Sequence, residues 1–156
     1  YECHLIVLDM KKANYIKDAQ HYCKQVLLAE RKSRFDLTPI LFISRYCREQ
    51  KIDVVQSFLP LASFYAAMAA RMASLPLICC AIRDGKDHTW QKKLLIQLLS
   101  RLATKMIANS EAGLRNRFAT VRPNMQVIYN GLDLQRLLVS ICCRHLLRAS
   151  ALLPKY

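Results

Sequence analysis

Residues 51–82 read KIDVVQSFLPLASFYAAMAARMASLPLICCAI, and this stretch decides the fold. It holds two short apolar runs, at 54–58 and 77–82, with an alanine-rich segment between them. Short continuous apolar runs are typical of strands that are buried on both faces. Because proline is favoured in the first turn of a helix, the middle segment predicts a helix from Pro60 through Met72. Its small alanine side chains would let that helix lie close against a sheet.

The same alternation of strand and helix extends along the chain in both directions. It predicts a helix that has Asp36 as its N-cap, carries Pro39 in its first turn and ends near Gln50. The alternation predicts an α/β fold: a Rossmann-like parallel sheet with helices on both faces, in which the strands near 54, 78, 106 and 127 are adjacent or nearly so. The other predicted elements are strands at 4–8, 25–29, 105–108 and 125–129, a helix over 89–103 and a short helix from Glu111.

Polar residues lie at the carboxyl ends of four of the predicted strands. In a parallel sheet these carboxyl ends share one edge, and ligands bind at that edge. We therefore expect a substrate-binding site there. Its candidate residues are Gln56, Ser57, Arg83, Asp84, Asn109, Ser110, Glu111, Asn130 and Gly131.

The composition is that of a globular protein, since 53% of the 156 residues are hydrophobic and 22% are charged. The strand–helix pattern ends near Asp133, which predicts one domain over residues 1–133. Residues 134–156 form a basic, apolar segment that could make an amphipathic helix. Polar residues and prolines interrupt the long apolar stretch 54–82, so we expect no membrane-spanning helix there.

The net charge of +13 favours an anionic partner: nucleic acid, a phosphorylated substrate or an acidic membrane surface. The densest basic group, residues 31–34, suits a solvated loop somewhat better than a binding patch. No helix-turn-helix, RRM or KH pattern occurs, so nucleic acid is the least favoured partner. An acidic membrane surface fits the basic apolar segment 134–156.

The cysteines and histidines point away from metal and disulfide chemistry. None of the seven cysteines belongs to a C-x-x-C pair, and the histidines show no metal-ligand spacing. A reduced, cytoplasmic protein fits best, and the positive charge could hold it on the inner face of a membrane. The chain opens at Tyr1 within an apolar run, so we expect no signal peptide and interpret the N-terminus as a cut end.

Four segments read together resemble the N-terminal domain of family 4 glycosyltransferases, which are retaining enzymes of the GT-B fold. The segments are KIDVVQS at 51–57, ARMASLPLI at 70–78, IANSEA at 107–112 and VIYNGLD at 127–133. The resemblance implies the acceptor-side half of a hexosyltransferase-type enzyme without a cofactor. Such an enzyme transfers a sugar from a nucleotide-sugar donor to a lipid, polysaccharide or other glycan acceptor. The donor is held mainly by a second domain, so we expect this half to be inactive alone.

The chain departs from the family pattern at two positions. Family members often carry a histidine where this chain has Gln56, and another where it has Arg83 and Asp84. A subset of the family has arginine at the latter position. The catalytic residue therefore stays unassigned, and the alternative is a non-catalytic Rossmann-like binding module or a degenerate paralogue. Arg83 could bind phosphate or a sugar hydroxyl, or equally form a surface ion pair with a nearby aspartate.

Overall fold

The computed structural model describes residues 1–9, 16–33, 36–82 and 89–129. Strands and helices alternate along these residues, as the sequence predicts. In chain order they are β1 His4–Val7, α1 Ile16–Tyr22, β2 Gln25–Leu28, α2 Thr38–Glu49, β3 Val55–Phe58, α3 Pro60–Met72, β4 Leu77–Ile82, α4 Trp90–Leu102, β5 Lys105–Ala108, α5 Glu111–Arg115 and β6 Met125–Val127.

Every strand pair is parallel. Strands β1 and β2 form one ladder, and β3, β4, β5 and β6 form a second ladder in that order. Val55 lies opposite Leu77, and Met106 lies opposite Met125. The predicted α/β fold and the predicted neighbourhood of the four apolar runs are confirmed. Parallel neighbours require a crossover, and a helix supplies it between successive strands of the larger sheet.

One face of the four-stranded sheet packs against α3 and α4. Alternate strand residues such as Leu77, Cys79 and Met106 are fully buried there against Ala70 and Leu99. The alanines of α3 allow this close approach, as expected from the sequence. Truncating a buried leucine such as Leu77 to alanine should cost about 2–5 kcal/mol, because the site would be left as a cavity.

A second cluster joins the smaller ladder to the rest of the domain. Ile40 and Ile43 of α2 pack with Tyr65 and Ala69 of α3, and Ile6 of β1 contributes to the same cluster. Helices α2, α3 and α4 therefore form one continuous layer, in which α3 is the middle member.

The other face of the larger sheet is more open among the described residues. Gln56 and Phe58 are exposed on it, and Ile78 and Cys80 are half-buried. The alternation along a strand places these residues opposite the buried set. The described helices that contact the larger sheet pack on the face that carries its buried residues. A helical layer on the other face therefore stays a prediction.

The predicted helices agree closely with the observed ones, with two differences. Leu37 rather than Asp36 is the N-cap of α2, although the Asp36 carboxylate still accepts the Thr38 backbone N–H at 2.9 Å. Helix α1 was not predicted. It contains no buried residue, so it has no strong apolar periodicity by which a sequence pattern would reveal it.

Helices α2 and α3 end in the same way, with a non-glycine residue in the left-handed region. Lys51 has φ 52° and Ser74 has φ 56°. After each, a backbone N–H returns to the helix: Ile52 donates to the Cys47 oxygen, and Leu75 to the Ala70 oxygen. This is the Schellman arrangement, which usually places glycine in the left-handed position.

In the described part of the chain, no helix has the length and apolar character needed to cross a membrane. The segment 134–156, predicted to be helical, lies outside the described residues.

Candidate functional site

The carboxyl ends of β4, β5 and β6 lie level at one edge of the sheet. Ile82 is opposite Ala108, and Ala108 is opposite Val127. The ladder continues one step further, because the Asn109 N–H donates to the Ile82 oxygen at 3.2 Å and the Ile128 N–H donates to the Ala108 oxygen at 2.9 Å. Asn109 and Ile128 are therefore held beside the ends of the neighbouring strands. Four of the candidate residues, Arg83, Asp84, Asn130 and Gly131, lie outside the described residues.

Ser110 and Asn109 form the junction between β5 and α5. Ser110 is extended and half-buried, and its Oγ accepts the Gly113 backbone N–H at 3.1 Å. This is the N-cap geometry expected from the Asn-Ser-Glu sequence, and it satisfies one N–H of the first helical turn. Asn109 is half-buried at the strand end. Ser110 thus has a structural role, while Asn109 lies at the edge where we expect a ligand.

Glu111 lies on the solvent side of α5. Its Oε2 accepts a hydrogen bond from Arg115 Nη2 at 3.0 Å, and both side chains are more than half exposed. An exposed pair of this kind contributes little to stability. Negative charge is nevertheless favoured in the first turn of a helix, so Glu111 suits its position.

Gln56 and Ser57 are separated by the pleat of β3. Ser57 is buried beneath α3 and its hydroxyl donates to Ser63 Oγ at 2.9 Å. Gln56 is exposed on the open face, where its Nε2 lies 3.5 Å from Cys80 Sγ. Only Gln56 of this pair therefore has a side chain that is accessible to a ligand. Gln56 lies opposite Ile78, which is itself opposite Lys105 at the start of β5, so the structure does not bring this pair to the edge formed by the ends of β4, β5 and β6.

Leu59 is a feature of this edge that the sequence patterns did not reveal. It joins β3 to α3 with φ 73° and ψ 141°, and its side chain is exposed. Such a backbone conformation is costly for a non-glycine residue and often occurs near functional sites. A proline favours extended backbone with negative φ in the residue before it, so the local sequence carries no signal for the positive φ of Leu59.

The loop after β2 holds basic residues in a fixed place. The Arg31 guanidinium lies 5.9 Å from the centre of the Tyr65 ring, and the Tyr65 hydroxyl donates to the Asp36 backbone oxygen at 2.8 Å. The Lys32 backbone N–H donates to the Asp36 carboxylate at 2.9 Å. Hydrogen bonds from Thr38 and from the Lys32 N–H hold the pKa of Asp36 below its ordinary value. The densest basic group in the sequence is thus anchored at its first residues by α3 and by Asp36.

Metal chemistry finds little support in the described residues. No group of three or more metal-ligating side chains comes together in those parts of the chain. Burial raises the pKa of the Cys47 thiol, which keeps it protonated and unreactive. Cys3 and Cys23 lie at the start of the smaller ladder, where the Cys23 thiol donates a hydrogen bond to Cys3 Sγ at 3.7 Å and the two form no disulfide.

Comparison with known proteins gives matches at the level of family and fold. The sequence model described as Glycosyltransferase Family 4 matches residues 1–136. The structure is similar to that of Anabaena HepE in complex with UDP and glucose, with a TM-score of 0.67 and 19% sequence identity. It is similar also to HepE in complex with UDP alone, with a TM-score of 0.65 and 18% identity. No curated protein matches the chain in sequence.

The structural match covers unequal fractions of the two chains that are compared. Both HepE matches cover 85% of this chain but only 37% of the HepE chain. At this identity the likeness shows the fold alone, a Rossmann-like half of the GT-B type. The family model covers most of the chain, including all four strand-end segments that carry the candidate residues. This chain belongs to glycosyltransferase family 4.

Proposed function

We propose that this chain is the acceptor-binding half of an enzyme that transfers a sugar from a nucleotide-sugar donor to a lipid, polysaccharide or other glycan acceptor. The observation that carries the proposal is the level edge formed by the ends of β4, β5 and β6, where Asn109 lies. Family membership gives that edge a chemistry. The chain spans 37% of the HepE chain, so the whole enzyme's activity belongs to a longer protein.

The candidate residues suit hydroxyl and phosphate groups. Gln56 lies within β3, opposite Ile78 and away from the edge, and it offers an exposed amide that can both donate and accept hydrogen bonds. Arg83 would add a guanidinium, whose several N–H groups bind phosphate or vicinal hydroxyls in pairs. Asn109 lies between the ends of β4 and β6. We assign these residues to binding and orientation of the acceptor, and we assign no catalytic residue.

Sugar transfer needs groups on both sides of the cleft between two domains. Positioning of the reacting atoms and stabilisation of charge at the anomeric carbon depend on both walls. This chain supplies one wall. We therefore expect no measurable transfer by the isolated chain and little affinity for the donor.

Titration calorimetry with a panel of UDP-, GDP- and ADP-sugars tests this division of labour. UDP-glucose is the first probe, because HepE was crystallised with UDP and glucose. Weak or absent heat of binding is the expected result. Micromolar affinity for any member of the panel would place the donor site in this half and would overturn the proposal.

The alternative is a non-catalytic binding module. It is favoured by Gln56 and by Arg83, which stand where family members often have histidine. The two hypotheses can be distinguished by assaying a longer protein that joins this half to a second Rossmann-like domain. Turnover of a nucleotide sugar by that protein supports the enzyme, and acceptor binding without turnover of any donor supports the module.

The cytoplasmic location and attachment to the inner face of a membrane likewise stay predictions.

A further inference from the structure

Two cysteines lie side by side where the smaller ladder begins. Cys3 directly precedes β1, and Cys23 directly follows α1 in the short connection to β2. The Cys23 thiol donates to Cys3 Sγ at 3.7 Å, although twenty positions separate the two residues along the chain. Cys3 is exposed and Cys23 is half-buried, so a small molecule in solution can reach the pair.

The neighbouring contacts hold the two sulfurs together. The Lys24 backbone N–H donates to the Cys3 oxygen at 2.8 Å, which extends the β1–β2 ladder by one step. The Lys24 ammonium also pairs with the Glu2 carboxylate at 2.6 Å. An exposed ion pair contributes little, so the backbone bond and the ladder provide most of the positioning. The closeness of the two thiols is thus a consequence of the parallel pairing of β1 with β2.

The other described cysteines offer no comparable pair. Cys47 and Cys79 are buried in the two apolar clusters, and Cys80 is half-buried on the open face of β4. Among the residues that the structure describes, Cys3 and Cys23 are therefore the two thiols that an oxidant in solution can reach together.

We propose that Cys3 and Cys23 form a redox-sensitive modification site, which closes to a reversible disulfide with glutathione disulfide as the oxidant. The sulfurs must approach from 3.7 Å to a bond length of about 2.0 Å. Both residues lie outside the helices and strands, so rotation of their side chains can supply this movement while the ladder stays intact. Disulfides of reducing compartments are usually transient or redox-sensing, which suits an accessible pair. The proposal does not rest on sugar transfer.

The exchange takes two steps. The Cys3 thiolate attacks one sulfur of glutathione disulfide, so that a Cys3–glutathione disulfide forms and one glutathione thiolate leaves. Cys23 then attacks the Cys3 sulfur, forms the Cys3–Cys23 bond and releases the second glutathione. The protons of the two cysteines pass through solvent to the two glutathione thiolates. Two protein thiols are thereby oxidised, and one glutathione disulfide is reduced.

The environment of the two thiols sets this order. Cys3 is the more exposed thiol. Burial, and then the hydrogen bond to Cys3, raises the pKa of the Cys23 thiol, which therefore keeps its proton longer. Cys3 thus reacts with the oxidant, and Cys23 resolves the product.

Peptide mapping tests the proposal. The full chain is incubated in glutathione buffers of increasing oxidised fraction, the free thiols are blocked with iodoacetamide, and the chain is digested with trypsin. Trypsin releases residues 1–11 and 18–24 as separate peptides with one cysteine each. In the oxidised buffers these peptides should be recovered joined, and dithiothreitol should separate them. Two alkylated peptides throughout the series, or peptides that carry glutathione alone, overturn the proposal.

Single variants test the order of the steps. In C23S no thiol remains to resolve the first product, so glutathione should accumulate on Cys3. In C3S we expect no joined peptide and little glutathione on Cys23. The control C80S changes a half-buried cysteine of β4 and should leave the joined peptide unchanged. More glutathione on Cys23 of C3S than on Cys3 of C23S would contradict the assigned order.

A comparison with the urea-unfolded chain tests whether the fold brings the thiols together. The native chain should form the joined peptide at about tenfold less glutathione disulfide than the unfolded chain, because proximity raises the effective concentration of one thiol at the other. Equal oxidation of the native and unfolded chains would overturn the proposal. The oxidised chain should also unfold at a higher urea concentration than the reduced chain, and C3S/C23S should show no such shift with oxidant.

Discussion

The backbone N–H of Asn109 donates to the carbonyl oxygen of Ile82 at 3.2 Å, one step beyond the last paired residues of β4 and β5. This bond fixes where the chain leaves β4, and the next residue is Arg83. Asn109, the first residue after β5, is thus held beside the end of β4. A substrate group that reaches Asn109 would also lie near the carboxyl end of β4.

Replacement of Arg83 by alanine in the longer two-domain enzyme should reduce turnover far more than stability. We expect a loss of about a hundredfold in kcat/KM, because a bound acceptor that is misplaced by even about 1 Å reacts far more slowly. The free energy of unfolding should change by less than about 0.5 kcal/mol, as for most surface positions. Steady-state kinetics and urea unfolding measure the two effects. The control is Lys105→Ala, an exposed residue at the opposite end of β5, and equal losses of activity in both variants would contradict the assignment.

Ser74→Gly should stabilise the domain. Ser74 closes α3 with φ 56°, a conformation that costs a residue with a Cβ atom about 1 kcal/mol more than it costs glycine. The exposed serine side chain contributes little to packing at this position. Urea unfolding should therefore show a higher midpoint with an unchanged slope. In contrast, glycine at the preceding residue Ala73, where φ is −91°, should lower the midpoint, because only backbone entropy changes there.

Asn124→Asp should destabilise the domain at neutral pH. The Asn124 side-chain amide donates to the carbonyl oxygens of Ser100 and Ala103, both at 3.0 Å, and so satisfies the C-terminal end of α4. Aspartate has the same shape but, when ionised, cannot donate, and its charge is unfavourable beside the negative end of the helix. We expect a loss of about 1–3 kcal/mol in the free energy of unfolding.

Chemical denaturation of Asn124→Asp at several pH values checks this expectation. Part of the lost stability should return at acid pH, where a protonated carboxyl regains one donor. Gln126→Ala, at an exposed residue of β6, serves as the control. A loss that does not depend on pH would indicate that packing at this position matters more than hydrogen bonding.

The Asp36 carboxylate should make stability depend on pH in the acid range. Hydrogen bonds from the Thr38 hydroxyl and from the N–H groups of Lys32 and Thr38 lower its pKa in the folded state from 3.8. A lowered folded pKa means that the carboxylate stabilises the fold above pH 3.8. That contribution is lost progressively as the pH falls through the lowered pKa. The difference in stability between the original chain and Asp36→Asn should therefore narrow in acid, and a constant difference from pH 7 to pH 3 would argue against these hydrogen bonds.

The sequence alone determined most of the local structure. Helix α3 runs from Pro60 to Met72, as predicted, and α5 begins at Glu111 with Ser110 as its N-cap. These features follow from residues that act on their immediate neighbours: proline fixes φ at a helix start, and a serine hydroxyl reaches an N–H two or three residues ahead. The parallel order of the strands also follows, since short apolar runs joined by helices leave few arrangements.

The tertiary structure alone decided which polar and apolar side chains face solvent. Period-2 alternation puts Gln56 and Ser57 on opposite faces of β3, but only the packing of α3 shows that Ser57 is the buried one. Leu94 and Leu99 are the same residue type on one helix, and only the position of the sheet makes Leu99 core and Leu94 surface. The bonds of Asn124 to α4 join residues more than twenty positions apart. Each depends on contacts between segments distant in the chain, and a local pattern of residue types does not fix which side chains of those segments will meet.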